Sequence, residues 1–127
     1  MDASAKKILV VDDEDIVREA CSELLESNGF CVDAAVNGAD ALDKLKSGDY
    51  DLVVLDINMP NMDGIDFFTR AEAVYPGFKE KVLFITGDVS GEMDALKVFL
   101  NINRNVLKKP FTKDVFMSSV RGILQKE

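Results

Sequence analysis

The sequence predicts a single α/β domain in which a doubly wound parallel sheet of five strands is flanked by five helices. Short continuous runs rich in Val, Ile and Leu recur along the chain, as expected of strands that are buried on both faces. Segments with helical spacing of apolar residues separate these runs. Neither a linker-like segment nor an internal repeat interrupts this alternation, so a parallel sheet joined by right-handed crossovers is the simplest closure.

Five apolar runs have the length of buried strands and are rich in β-branched residues. In chain order they are KILVV, FCVDAAV, DLVVLD, KVLFIT and NVLK. Between them, apolar residues recur at intervals of three and four, which indicates amphipathic helices. The first helix is expected to end at Gly29 and to bury the face formed by Ile16, Val17, Ala20, Cys21, Leu24 and Leu25. The other four are marked, in order, by Ala41, Leu42 and Leu45; by Ile65, Phe68 and Ala71; by Met93, Leu96 and Leu100; and by Phe116, Val120, Ile123 and Leu124.

Composition limits the classes of function. A chain of 127 residues, 47% hydrophobic and 30% charged, predicts one globular domain over residues 1–127 with a core of about 6–125. The net charge of -8 argues against direct binding to nucleic acid. No apolar run reaches membrane-spanning length and the N-terminus does not resemble a signal peptide, so we expect a cytoplasmic protein that does not bind membranes. Cys21 and Cys31 lie in apolar segments and are expected to be buried free thiols.

The chain contains no histidine. This excludes Ser-His-Asp and Cys-His nucleophile systems and histidine-ligated zinc within the chain. It also excludes a phosphohistidine on this chain. Any chemistry must therefore use carboxylates, lysine, hydroxyl groups and hard metal ions.

Chemically active side chains follow four of the five predicted strands, in the order Asp12 and Asp13, Asp56, Thr86, and Lys109. Because the carboxyl ends of parallel strands meet at one edge of a sheet, we expect these side chains to lie close together. Carboxylates at about 4 Å repel by roughly 1 to 4 kcal/mol per pair, which favours a hard cation among them. Mg²⁺ suits such oxygen ligands best, with Ca²⁺ or Mn²⁺ as weaker candidates. An opposing lysine and a threonine hydroxyl predict phosphoryl transfer with a carboxylate nucleophile.

Four motifs, ILVVDDE, DLVVLDINMPNMDG, VLFITG and VLKKPF, occur in this order, each at a predicted strand end. Together they resemble the receiver domain of two-component response regulators, from about residue 6 to the C-terminus. The resemblance implies the flavodoxin-like strand order 2-1-3-4-5. It also implies a phosphorelay signalling domain that catalyses only its own phosphorylation and dephosphorylation, rather than an enzyme with a separate substrate.

The resemblance assigns the phosphoacceptor and the metal ligands by motif position. Asp56 would accept a phosphoryl group from the phosphohistidine of a histidine kinase or a histidine phosphotransfer domain. Asp12 and Asp13 would hold Mg²⁺ together with Asp56, with Mn²⁺ as an alternative ion. The backbone carbonyl of Asn58 would complete the protein ligands.

The phosphate contacts follow in the same way. Thr86 would donate a hydrogen bond to a phosphoryl oxygen, and Lys109 would pair with the phosphate. Lys109 is preferred over Lys108 because the family's lysine directly precedes proline, where the backbone is held extended.

Glu14 and Asp15 are expected to begin the first helix, where acidic residues are favoured. In the second motif Asp63-Gly64 is interpreted as a turn.

The expected response involves the loop after Thr86 and the helix near residues 91–100. An aromatic residue in much of the family stands where this sequence has Val106, so the usual change at that position is expected to be small. The expected downstream partner is an output domain or protein, and dimerisation is expected through the face of the fourth and fifth helices. The chain is expected to be either a free-standing regulator or a receiver from a larger protein, and "TGD" and "FLNINRNVLKKPF" are more similar to receivers attached to hybrid sensor kinases than to those of DNA-binding regulators.

Two other hypotheses fit parts of the sequence. DEDIV also matches the D-x-D-x-V pattern of haloacid-dehalogenase-type phosphatases, with Asp13 as the nucleophile, although the chain is short and Asp56 is then unexplained. The chain could instead be a pure interaction module with the receiver fold that never takes up phosphate.

Overall fold

The structure, a computed structural model, describes residues 5–57, 64–86 and 105–125. Its strands are β1 (Lys7–Val11), β2 (Cys31–Ala35), β3 (Leu52–Asp56), β4 (Val82–Thr86) and β5 (Val106–Lys108). They form one sheet in the order β2-β1-β3-β4-β5, and each neighbouring pair is parallel. The predicted doubly wound, flavodoxin-like sheet and its strand order are confirmed.

The described helices are α1 (Asp15–Ser27), α2 (Gly38–Ser47), α3 (Gly64–Val74) and a C-terminal helix (Lys113–Gln125), with a short 3₁₀ helix at Phe78–Lys81. The helix expected around Met93, Leu96 and Leu100 lies outside the described residues. Within the three described ranges, no helix combines the length and the apolar character needed to cross a membrane.

Strand residues alternate between two hydrophobic cores, one on each face of the sheet. In β3, Leu52 and Val54 belong to one core, and Val53 and Leu55 belong to the other. The first core is covered by α1 and the C-terminal helix, and the second by α2 and α3. Burial on both faces explains why the strands appear in the sequence as continuous apolar runs.

The end of α1 follows the predicted pattern. Gly29 adopts a φ of 93°, a left-handed conformation that favours glycine, and its N–H donates to the carbonyl of Glu26 at 3.1 Å. Beyond it, the N–H of Cys31 donates to the carbonyl of Lys6 at 2.9 Å, which places β2 beside β1. The glycine therefore turns the chain back into the sheet.

Three expectations about burial are wrong. Ile16 is 82% exposed and Ala20 is exposed, so the buried part of α1 is narrower than the apolar pattern predicts. The helix buries Cys21 and Leu25, which lie further from its first turn. Cys31 is exposed because it is the first residue of β2, which lies at the edge of the sheet.

Candidate functional site

Asp12 and Asp13 leave the end of β1 at the carboxyl edge of the sheet. The Asp12 N–H donates to the carbonyl of Ala35 at 3.2 Å, and the Asp12 carboxylate accepts the N–H of Glu14 at 2.9 Å. Arg18 donates from Nη1 to the carbonyl oxygen of Asp12 at 2.8 Å. Asp12 is only 3% exposed, whereas Asp13 is exposed. The turn is therefore held by its own backbone and by α1, with one acid buried and one in water.

Asp56 ends the central strand β3 and is 3% exposed. After it, the Ile57 N–H donates to the carbonyl of Ile85 at 2.9 Å, and the Gly64 N–H donates to the carbonyl of Ile57 at 3.1 Å. A Cβ atom on Gly64 would lie 2.6 Å from the Asp56 carbonyl oxygen. The sequence predicts only a turn at Gly64, but the lack of a side chain there also lets α3 begin directly against the backbone of Asp56.

Thr86 and Lys109 approach the same edge from the neighbouring strands. The Lys109 N–H donates to the Thr86 carbonyl at 2.8 Å, just beyond the paired residues of β4 and β5. Thr86 is fully buried, and its Oγ1 has no hydrogen-bond partner among the described residues. A buried hydroxyl without a hydrogen-bond partner destabilises the folded state, so this oxygen is suited to form a hydrogen bond with a ligand.

The Lys109 ammonium lies among acids. Its Nζ is 3.7 Å from Asp56 Oδ2, 4.0 Å from Asp12 Oδ2 and 3.6 Å from Glu14 Oε1. Lys108, by contrast, is exposed. The structure therefore brings Lys109 to the carboxylates and leaves its neighbour in water.

Glu14 is a site residue that the sequence motifs did not predict. It occupies the N-cap position of α1, as expected of a residue that begins the helix, but its side chain makes no capping hydrogen bond within the described part of the chain. The carboxylate instead contacts Lys109. The signal in the sequence was the number of acids in DDED, which exceeds what a helix N-terminus needs.

Burial and charge oppose each other in this cluster. Burial raises the pKa of Asp12; the hydrogen bond from Glu14 and the charge of Lys109 oppose this, and the charges of Asp13 and Glu14 add to it. Burial alone would lower the pKa of Lys109, but the carboxylates of Asp56, Asp12 and Glu14 outweigh it and raise that pKa above its usual value. One ammonium is thus shared by more negative charge than it can neutralise.

The geometry fits a hard divalent cation. One carboxylate oxygen from each of Asp12, Asp13 and Asp56 lies within 4.8 Å of the others. Oxygen ligands of this kind suit Mg²⁺, Mn²⁺ or Ca²⁺ rather than softer metals. A cation held by this cluster and the Lys109 ammonium could neutralise a phosphoryl group at Asp56, and the buried Thr86 hydroxyl could donate a hydrogen bond to it. Asn58, the fourth ligand implied by the resemblance, lies outside the described residues, as does the segment at 87–104.

Comparison with known proteins agrees with this geometry. The family model of the response regulator receiver domain matches residues 8–121. The response regulator MprA of Mycolicibacterium vanbaalenii is 32% identical over 120 residues, which are 94% of this chain and 51% of that protein. MprA of Mycobacterium avium matches to the same extent. The chain thus spans about half the length of these curated relatives.

Solved structures give the same result. The receiver domain of a signal transduction histidine kinase from Syntrophus aciditrophicus superimposes with a TM-score of 0.82 at 25% identity, covering 96% of this chain and 92% of that one. The response regulator TrrA from Thermotoga maritima, solved in complex with Mg²⁺ and BeF, gives a TM-score of 0.75 at 32% identity, covering 93% of this chain and 98% of its own. This chain belongs to the response regulator receiver domain family.

Proposed function

We propose that this chain is the phosphoacceptor of a two-component system and that Asp56 carries the phosphoryl group. The observation that supports this most directly is the position of Asp56, buried at the end of the central strand with Lys109 Nζ 3.7 Å from its carboxylate. Membership in the receiver family points to the same chemistry. Asp13, the nucleophile of the phosphatase hypothesis, is exposed, whereas Asp56 is buried.

In the proposed reaction, an Asp56 carboxylate oxygen forms a bond to the phosphorus of a phosphohistidine on a kinase or a phosphotransfer domain. The phosphorus–nitrogen bond breaks, and its electron pair stays on the departing imidazole nitrogen. The product is an acyl phosphate on this chain, so the domain supplies its own nucleophile and promotes its own phosphorylation. Water would later cleave the acyl phosphate.

Asp12, Asp13 and Asp56 would hold Mg²⁺, and a bound ion would neutralise charge on the transferred group. The oxygen distances within this cluster and the Mg²⁺–BeF complex of TrrA support the choice, with Mn²⁺ as an alternative. The Lys109 ammonium would pair with a phosphoryl oxygen, and the buried hydroxyl of Thr86 would donate a hydrogen bond to another.

Phosphorylation adds about -1.5 to -2 charge beside Thr86 and Lys109, and both are expected to close on it. We propose that this pull is passed to the segment at 87–100 and from there to an output domain or protein. Val106 is half-buried and packs against the core beneath α2 and α3, which is consistent with a small change there. A single domain over 1–127, a cytoplasmic location and dimerisation through the fourth and fifth helices remain predictions.

Labelling tests the proposal. Asp56→Asn should take no phosphoryl label from acetyl phosphate or from a phosphorylated kinase, whereas Asp43→Asn, which removes an exposed acid on α2, should label like the wild type. A label mapped to Asp13 would favour the phosphatase hypothesis. A wild-type protein that neither binds Mg²⁺ nor takes up label would favour the interaction module. Undiminished labelling of Asp56→Asn would refute the assignment.

A further inference from the structure

Glu14 differs from the other acids around Lys109 in its exposure. The side chains of Asp12 and Asp56 are 4% exposed, whereas that of Glu14 is 62% exposed. Its Oε1 nevertheless makes the shortest of the three contacts to Lys109 Nζ, at 3.6 Å. The acid most easily released into water is therefore also close to the ammonium.

The backbone of Glu14 is fixed although its side chain is not. Its N–H donates to the Asp12 carboxylate at 2.9 Å, and its carbonyl accepts the N–H of Arg18 at 3.0 Å. Among the described residues, no capping hydrogen bond holds the carboxylate at the start of α1. The side chain can consequently leave Lys109 by rotation, without any rearrangement of the loop that carries the metal ligands.

The acids also differ in what a phosphorylated site would require of them. Asp12 and Asp56 belong to the cluster that fits a divalent cation, so a bound ion would take up their charge. Within the described part of the chain, Glu14 lies outside that cluster. With the ion in place, Glu14 would remain the competitor of an incoming phosphoryl group for the single ammonium of Lys109.

We propose that Glu14 holds Lys109 in the unphosphorylated protein and so limits how readily the ammonium passes to the phosphoryl group. The inference rests on the proposed function, because it concerns the same site. It makes Glu14 a positioning residue that acts through Lys109. Removing its contact should strengthen the phosphorylated form, whereas the loss of a merely structural residue would weaken it.

The test is the affinity for beryllofluoride, a phosphoryl mimic, at saturating Mg²⁺. We expect Glu14→Gln to bind beryllofluoride about two- to fivefold more tightly than the wild type, because an ion pair with one exposed partner is weak. Asp15→Asn is the matched control, because it removes the next acid, which pairs with Arg18 rather than with Lys109. The affinity of Asp15→Asn for beryllofluoride should change less than that of Glu14→Gln.

Glu14→Asp separates contact from simple charge. It keeps the charge but shortens the side chain by about 1.5 Å, which takes the carboxylate out of reach of Lys109. Tighter binding by both Glu14→Asp and Glu14→Gln supports the proposal. Unchanged or weaker binding by Glu14→Gln, or wild-type affinity in Glu14→Asp, overturns it.

Labelling of the same proteins by acetyl phosphate keeps the two proposals apart. A wild type that labels at Asp56, together with an unchanged Glu14→Gln, overturns this inference and leaves the proposed function in place. A wild type that takes up neither label nor beryllofluoride overturns the proposed function and this inference with it.

Discussion

Replacing Gly64 by alanine tests how closely α3 approaches the phosphoacceptor. The new Cβ would lie 2.6 Å from both the Asp56 carbonyl oxygen and the Ile57 Cα, where ordinary contacts are 3.4–4 Å. Both of these atoms belong to backbone that is tied to β4, since the Ile57 N–H donates to Ile85. The start of α3 must therefore move away, because the strand cannot yield easily.

The cost follows from three contributions. Overpacking against fixed atoms costs about 1–3 kcal/mol. Retreat of α3 also strains the hydrogen bond from Gly64 to the Ile57 carbonyl, now 3.1 Å, which contributes roughly 1 kcal/mol. Replacing a helical glycine returns about 0.5–1 kcal/mol of backbone entropy. The free energy of unfolding should fall by about 1–3 kcal/mol.

Urea unfolding of Gly64→Ala and Gly122→Ala provides the measurement. Gly122 lies in the C-terminal helix, and among the described residues only its chain neighbours and the backbone of its own helix could lie within 4 Å of the position that its Cβ would take. Alanine there should therefore stabilise the protein by about 0.5–1 kcal/mol. If Gly64→Ala is as stable as the wild type, α3 does not approach the Asp56 backbone as closely as the structure places it.

Three other predictions concern the site and its surroundings. Asp13→Ala should remain folded but bind Mg²⁺ roughly tenfold more weakly in a metal titration, and equal affinities would contradict the cluster. Lys109→Ala should impair the conformational response to phosphorylation, measured by amide NMR shifts, whereas Lys108→Ala should respond nearly as the wild type does. If Lys108→Ala is the more impaired variant, the assignment of Lys109 is wrong. Burial, with a contribution from nearby charge, raises the pKa of Cys21 to about 11, so little thiolate is present at pH 8. At pH 8, iodoacetamide should therefore modify the exposed Cys31 about a hundredfold faster than Cys21. The rate for Cys21 should rise as the pH approaches 11. Comparable rates for the two thiols at pH 8 would refute this prediction.

The sheet could be predicted from the sequence because its strands are buried on both faces. Residues such as those of β3 then form uninterrupted apolar runs whose lengths mark the strands. The acids at Asp12 and Asp56 could be placed together because parallel strands end at a common edge. Topology alone was sufficient for these parts of the site.

What could not be predicted depends on distances that spacing does not encode. The helical period places Ile16 on the apolar face of α1. It does not show how far along that face the sheet extends, and Ile16 is exposed. The contact of Glu14 with Lys109 depends on the reach of two flexible side chains that are 95 positions apart in the chain. The role of Gly64 depends on how closely a helix approaches a strand.

The strand order also divides the site along the chain. The three acids that fit a cation all precede Ile57, whereas the hydroxyl of Thr86 and the ammonium of Lys109 both follow β3. The groups that fit the cation and the groups placed to contact the phosphoryl oxygens therefore fall in separate stretches of the gene. Glu14 is the exception, because it lies in the first stretch but contacts Lys109 in the second, so a change there can alter the response to phosphate while leaving the three metal-fitting acids in place.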